Sequence, residues 1–81
     1  MNCIKHLVPS VVDLFSEDNI DVCCLYIKND GKTIVKRFEF RVMHTDGATI
    51  AALHTLINDE ATCQITCKSE RVYITINTKR P

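Results

Sequence analysis

The sequence predicts an α+β fold, a two-layer sandwich in which two helices pack on one face of a four-stranded antiparallel sheet. Two stretches alternate apolar and polar residues around a short polar turn, which is typical of β-hairpins. Each of these stretches follows a segment whose apolar residues have helical spacing. The predicted order is therefore α-β-β-α-β-β, in a single domain formed by all 81 residues.

The first helical segment contains a proline. Apolar residues keep helical spacing from Cys3 to Phe15, on both sides of Pro9. Inside a helix, proline removes one backbone hydrogen bond and clashes with the preceding turn, at a cost of about 3 kcal/mol or a kink. We expect a kinked helix because the apolar stripe continues through Pro9. The alternative is a short strand over residues 2–7, with Pro9 at the first helical position.

The first predicted hairpin spans residues 20–42, with its turn at residues 29–31. A type I turn with Gly31 as a left-handed bulge residue would pair Lys28 with Lys32. In that register the core face carries Ile20, Val22, Cys24, Tyr26, Ile34, Phe38 and Phe40. The outer face carries Asp21, Cys23, Leu25, Ile27, Val35, Arg37, Glu39 and Arg41.

The second half of the chain repeats this plan. A helix is expected over about residues 48–59, capped by Thr45 or Asp46. The hairpin that follows pairs Lys68 with Arg71 across a two-residue turn. This register places six apolar residues on one face: Cys63, Ile65, Cys67, Val72, Ile74 and Ile76.

Composition excludes several classes of protein. Lys and Arg total 10, as do Asp and Glu, so the basic excess typical of nucleic-acid modules is absent. No apolar run approaches the roughly 20 residues that span a bilayer, and the first residues do not resemble a signal peptide. We expect a soluble intracellular protein, cytoplasmic or nuclear, with no membrane partner.

The sequence predicts no enzyme, metal site or cofactor. The chain has only two glycines and no Gly-rich phosphate loop, and its serines match no nucleophile motif. Five cysteines, an odd number spread over strands, indicate reduced and mostly buried thiols. Cys63 and Cys67 would lie about 13 Å apart along a strand, too far to bind one zinc.

Two surfaces are candidates for binding a protein partner or a second copy of the chain. One is the free edge of the small sheet, which can accept a partner strand through main-chain hydrogen bonds. The other is the outer face of the first hairpin. Its apolar residues and two arginines would contact the partner there: Cys23, Leu25, Ile27, Val35, Arg37 and Arg41.

The alternative function is binding of single-stranded nucleic acid. Basic residues interleaved with an aromatic residue on a strand can contact phosphates and stack on bases. On the first hairpin the residues that would do so are Lys28, Lys32, Lys36, Arg37 and Arg41. Acidic residues interrupt this patch, and charged residues on an outer strand also protect a sheet edge.

Residues 11–42 resemble the core segment of the HORMA-domain family. The segment Val-Lys-Arg-Phe-Glu-Phe-Arg-Val at residues 35–42 is similar to that family's Val-Glu-Lys-Phe-x-Phe-Glu-Ile strand. The resemblance implies a non-enzymatic adapter that captures a short peptide of a partner. A small viral accessory protein, using the same core for dimerisation or host-protein binding, is equally compatible with these residues.

Overall fold

The computed structural model describes the backbone of residues 3–29 and 33–79, and the side chains of residues 3–22 and 35–79. Two helices and four strands follow one another in the predicted order. Their bounds are α1 Leu7–Phe15, β1 Ile20–Asn29, β2 Thr33–Val42, α2 Gly47–Ile57, β3 Ala61–Lys68 and β4 Arg71–Thr78. A short 3₁₀ turn, Glu17–Asn19, joins α1 to β1.

The four strands form one antiparallel sheet in the order β1-β2-β4-β3, and the predicted α+β fold is confirmed. The second strands of the two hairpins pair at the centre, and the first strands lie at the two edges. The core fills the space between the helices and one face of the sheet. It consists of Ile4, Leu7, Val11, Phe15, Val35, Phe38, Phe40, Val42, Leu53, Ile57, Ala61, Ile74 and Ile76.

Helix α1 is shorter than predicted, because Pro9 lies in its first turn. As the third helical residue, Pro9 occupies a position where a backbone N–H has no partner within the helix. The helix is confirmed for residues 7–15, whereas residues 3–6 form neither the predicted start of that helix nor the alternative strand. The segment before α1 packs against the sheet through Ile4. This residue is buried, and its N–H donates to the carbonyl oxygen of Val35 at 2.8 Å.

The register of the first hairpin differs from the prediction. Lys28 pairs with Ile34 rather than with Lys32, and the tip of the turn lies outside the described residues. Two register shifts interrupt the ladder, at Asp21 on β1 and at Lys36 on β2. A bulge residue breaks the alternation of faces. Consequently both Val35 and Phe38 are buried, each 1% exposed.

Helix α2 confirms its prediction apart from its end. The side chain of Asp46 caps it by accepting a hydrogen bond from the N–H of Thr49 at 2.8 Å. The helix ends at Ile57, because Asn58 adopts a left-handed φ of 43° and cannot continue it. Leu53 and Ile57 are buried against the sheet.

The second hairpin has the predicted register, with Lys68 opposite Arg71. Ser69 and Glu70 form its turn with φ values of 52° and 61°. Positive φ at both central residues characterises the type I′ turn, which matches the twist of the strands that it joins.

Both ends of the described chain meet at Glu60, the residue before β3. The side chain of His6 contacts the Glu60 carboxylate, with 2.8 Å between Nε2 and Oε1. The N–H of Lys79, just after β4, donates to the Glu60 carbonyl oxygen at 3.2 Å. A single turn therefore anchors the start of α1 and the end of β4.

Candidate functional site

The outer face of the sheet carries a cluster of ionic side chains at the end where Asp21 bulges out of β1. The Asp21 carboxylate accepts from Nε of Arg41 at 2.8 Å and from Nε of Arg71 at 3.2 Å. Nη1 of Arg41 donates to the hydroxyl of Tyr73 at 3.5 Å. These contacts connect β1, β2 and β4, and they lower the pKa of Asp21, chiefly through the hydrogen bond from Arg41.

A second group of polar side chains lies further along the same face. Nη2 of Arg37 is 3.8 Å from Oε2 of Glu39, and the hydroxyl of Thr75 donates to that same oxygen at 3.1 Å. The arginines of the outer face therefore lie beside carboxylates of the same face. A phosphate group would have to compete with these carboxylates for the guanidinium groups.

The five residues predicted to bind nucleic acid do not form a patch in the part of the chain that the structure describes. Arg37 and Arg41 lie on the outer face with Glu39 and Asp21 beside them. Lys36 is the half-buried bulge residue of β2. The side chain of Lys28 and the whole of Lys32 lie outside the described atoms.

Of the apolar residues predicted to bind a partner on the outer face, the structure describes the side chain of Val35 and only the backbone of the others. Val35 was expected to face outward and is a core residue, because the bulge at Lys36 reverses the alternation. The backbone positions of three others pair with core positions of β2, and their side chains lie outside the described part. These pairs are Cys23 with Phe40, Leu25 with Phe38, and Ile27 with Val35.

The Asp21 cluster predicts a pH-dependent contribution to stability. The folded-state pKa of Asp21 lies below the ordinary value of 3.8, so its contribution is present above that value and is lost as the pH falls through the folded-state pKa. We expect Asp21→Asn to lower the unfolding midpoint in urea at pH 7. The midpoints of the two proteins should converge as the pH is lowered past the folded-state pKa of Asp21.

The matched control for this series is Asp18→Asn, which removes an exposed carboxylate from the 3₁₀ turn. Its urea midpoint should stay close to that of the parent protein at pH 7 and also below the folded-state pKa of Asp21. If Asp21→Asn unfolds at the parent midpoint at pH 7, the ion pairs with Arg41 and Arg71 contribute nothing measurable.

Strand β3 lies at one edge of the sheet, and most of its residues are exposed. From Thr62 to Lys68 every residue is exposed except Cys63, which is half-buried. The strand contains no proline, its pairing with β4 shows no bulge, and its one charged residue is Lys68 at the end. Prolines, bulges and charged residues usually protect a sheet edge from pairing with another chain. Of these, β3 has only the charge of Lys68.

The backbone of β3 presents free hydrogen-bonding groups along this edge. In a hairpin with a two-residue turn, residues flanking the turn and every second residue beyond them bond to the partner strand. Because Lys68 flanks the turn, the N–H and C=O groups of Cys63, Ile65 and Cys67 point away from β4. Within the described chain, no other backbone group bonds to these three residues.

The two helices leave the end of β3 that is nearer the hairpin turn uncovered. Ile65 and Cys67 have their side chains on the core-facing side of the sheet, yet Ile65 is 38% exposed and Cys67 is exposed too. Helix α2 contacts the strand at Cys63, whose sulfur lies 3.7 Å from Nε2 of His54. Ile65 and Cys67 thus form an exposed apolar strip on the core-facing side, directly beside the free backbone groups of the β3 edge.

The sequence offered no sign of the contact between Cys63 and His54, because the two residues lie on different elements. Cysteine and histidine in contact can form a nucleophile and its base, provided that the thiol ionises readily. Here burial raises the pKa of the Cys63 thiol. A raised pKa favours the neutral thiol, which is the less nucleophilic form of cysteine.

No group of three or more His, Cys, Asp or Glu side chains among the described residues is placed to hold a metal ion. No helix in that part of the chain is long and apolar enough to cross a membrane.

Comparison of this chain with models of known protein families, with curated proteins and with solved structures found no match.

Proposed function

We propose that this protein is a non-enzymatic interaction module that binds an extended strand of a protein partner at the free edge of β3. The partner strand adds to the sheet as a fifth strand beside β3. Its backbone bonds to Cys63, Ile65 and Cys67, and its side chains cover the apolar strip on the core-facing side.

The observation that carries this proposal is the coincidence of two unsatisfied surfaces at one strand. Free backbone donors and acceptors run along the β3 edge, and the exposed side chains of Ile65 and Cys67 lie beside them. Each main-chain hydrogen bond of an added strand contributes about 1 kcal/mol net. Covering the exposed part of Ile65 adds a hydrophobic contribution and favours a partner with an apolar residue opposite it.

Two predictions from the sequence bear on this proposal. The resemblance to HORMA domains also implies that a non-enzymatic adapter captures a partner peptide. Both the resemblance and this function stay predictions. Binding of nucleic acid also stays a prediction. The contacts of Arg37 and Arg41 with Glu39 and Asp21 favour a protein partner over a phosphate backbone.

The proposal is tested by replacing Ile65 with proline. Proline removes the N–H that points to the free edge and keeps the bonds between β3 and β4, so the hairpin should survive. The matched control is Ile65→Ala, which shortens the same side chain and retains the N–H. The probe is a displayed library of random octapeptides, selected on the parent protein immobilised at low density.

We expect the selected peptides to lose binding to Ile65→Pro and to keep weakened binding to Ile65→Ala. Circular dichroism of both variants should match the parent protein, which shows that the fold is retained. Peptides that bind Ile65→Pro as well as the parent protein would show that main-chain pairing at β3 is not the mode of binding.

A further inference from the structure

The residues of β3 are nearly symmetrical in character about Ile65. Cysteines lie two positions to either side of it, at Cys63 and Cys67. Small polar or amide residues, Gln64 and Thr66, lie one position to either side. A strand with this pattern presents the same chemistry when it is read in either direction, as self-pairing about a two-fold axis requires.

A two-fold axis through Ile65 satisfies the geometry of an antiparallel ladder. Residues that face one another must both direct their backbone groups toward the other strand, or both away from it. With the axis at Ile65, that residue faces Ile65 of the second copy, and Cys63 faces Cys67 of the second copy. All of these residues direct their N–H and C=O groups to the free edge.

The side chains brought together by this pairing are complementary. On the outer face Gln64 lies opposite Thr66 of the second copy, and both groups can donate and accept hydrogen bonds. Lys68, the charged residue of the strand, lies opposite Thr62 of the second copy, so no like charges face each other within β3. On the core-facing side the two Ile65 side chains cover one another.

We propose that the partner strand at the β3 edge is β3 of a second copy of this chain, paired antiparallel about a two-fold axis through Ile65. This inference rests on the proposed function, since it names the partner that the edge accepts. The resulting sheet has eight strands, with the helices of both copies on the same face. It also adds buried apolar surface to a chain whose small size limits its own core.

The pairing is tested by disulfide cross-linking between two variants that complement each other. Cys63→Ser retains Cys67, and Cys67→Ser retains Cys63. One variant is labelled with ¹⁵N and mixed with the other in unlabelled form under a mild copper–phenanthroline oxidant. Two thiols then form one disulfide: the oxidant accepts two electrons, and the two thiol protons pass to the solvent. Residues directly opposite in a ladder lie about 5.5 Å apart at Cα, within the range of disulfides.

The expected result is a disulfide between Cys63 and Cys67 that joins a labelled to an unlabelled chain in the mixture. Neither variant alone should form a bond at the retained cysteine, because a serine lies opposite it. A register centred on Gln64 would place Cys67 opposite Ala61. A dimer without the mixed Cys63–Cys67 disulfide therefore overturns the proposal.

Sedimentation equilibrium separates failure of this inference from failure of the proposed function. The parent protein should sediment at twice the mass of one chain, and Ile65→Pro at the mass of one chain. A monomeric parent protein that still binds displayed peptides at Ile65 overturns the dimer and leaves strand capture standing. Peptide binding that Ile65→Pro does not change overturns strand capture, and a monomeric parent protein in the same series overturns both.

Discussion

Replacing Phe38 with alanine is expected to remove a large share of the protein's free energy of unfolding. The Phe38 side chain is 1% exposed, lies at the centre of β2, and stacks beside Phe40 with 6.3 Å between the ring centroids. Truncating a buried phenylalanine to alanine costs about 3 to 5 kcal/mol. A chain of 81 residues has about 4 to 12 kcal/mol of total stability at ordinary per-residue values.

Urea unfolding followed by circular dichroism measures this effect. Phe38→Leu retains most of the apolar volume and should cost less than about 2 kcal/mol. Met43→Ala truncates a side chain that is 43% exposed, and it should cost less than about 1 kcal/mol. If Phe38→Ala unfolds at the same urea concentration as Met43→Ala, Phe38 is not in the core.

Val35→Asp is the second substitution with a large expected effect, and it separates two interpretations of the same residue. The sequence placed Val35 on an outer binding face, where an aspartate would weaken partner binding and leave the fold intact. The structure places it in the core at 1% exposure. A carboxylate there would be removed from water and should cost about 3 to 5 kcal/mol or more.

The same change at an exposed strand position provides the control. Val22 is 41% exposed on β1 and pairs with Arg41 across the ladder. Val22→Asp should therefore shift the free energy of unfolding by less than about 1 kcal/mol. Thermal unfolding of the two variants distinguishes the interpretations. A well-folded Val35→Asp protein would support the outer-face assignment over the buried one.

The two hairpins show where sequence patterns determine a register and where they do not. In the second hairpin, alternation is unbroken from Cys63 to Ile76, and a two-residue turn fixes Lys68 opposite Arg71. In the first hairpin, one extra residue at Lys36 moves Val35 to the core side. A bulge adds a residue without changing composition or hydrophobicity, so alternation alone could not locate it.

The residue at which α1 begins, relative to Pro9, could not be predicted from the apolar pattern. The apolar stripe through Pro9 correctly identified a helix, but the position of a proline within the first turn depends on where the helix begins. The segment before that start is bonded to β2 through Ile4 and Val35, which are far apart in sequence. The β3 edge was equally unpredictable in detail, because strand order is decided by contacts between the two halves of the chain.

The two contacts at Glu60 have a consequence for the connectivity of the fold. Because the His6 side chain and the Lys79 backbone both bond to Glu60, a short linker could join the two ends, and the loop at residues 43–46 could then be opened. The circular permutant would begin with α2 and end with β2, and its elements would still read α-β-β-α-β-β. The order of elements is thus the same whichever half comes first, and we expect the permutant to fold into the same sheet.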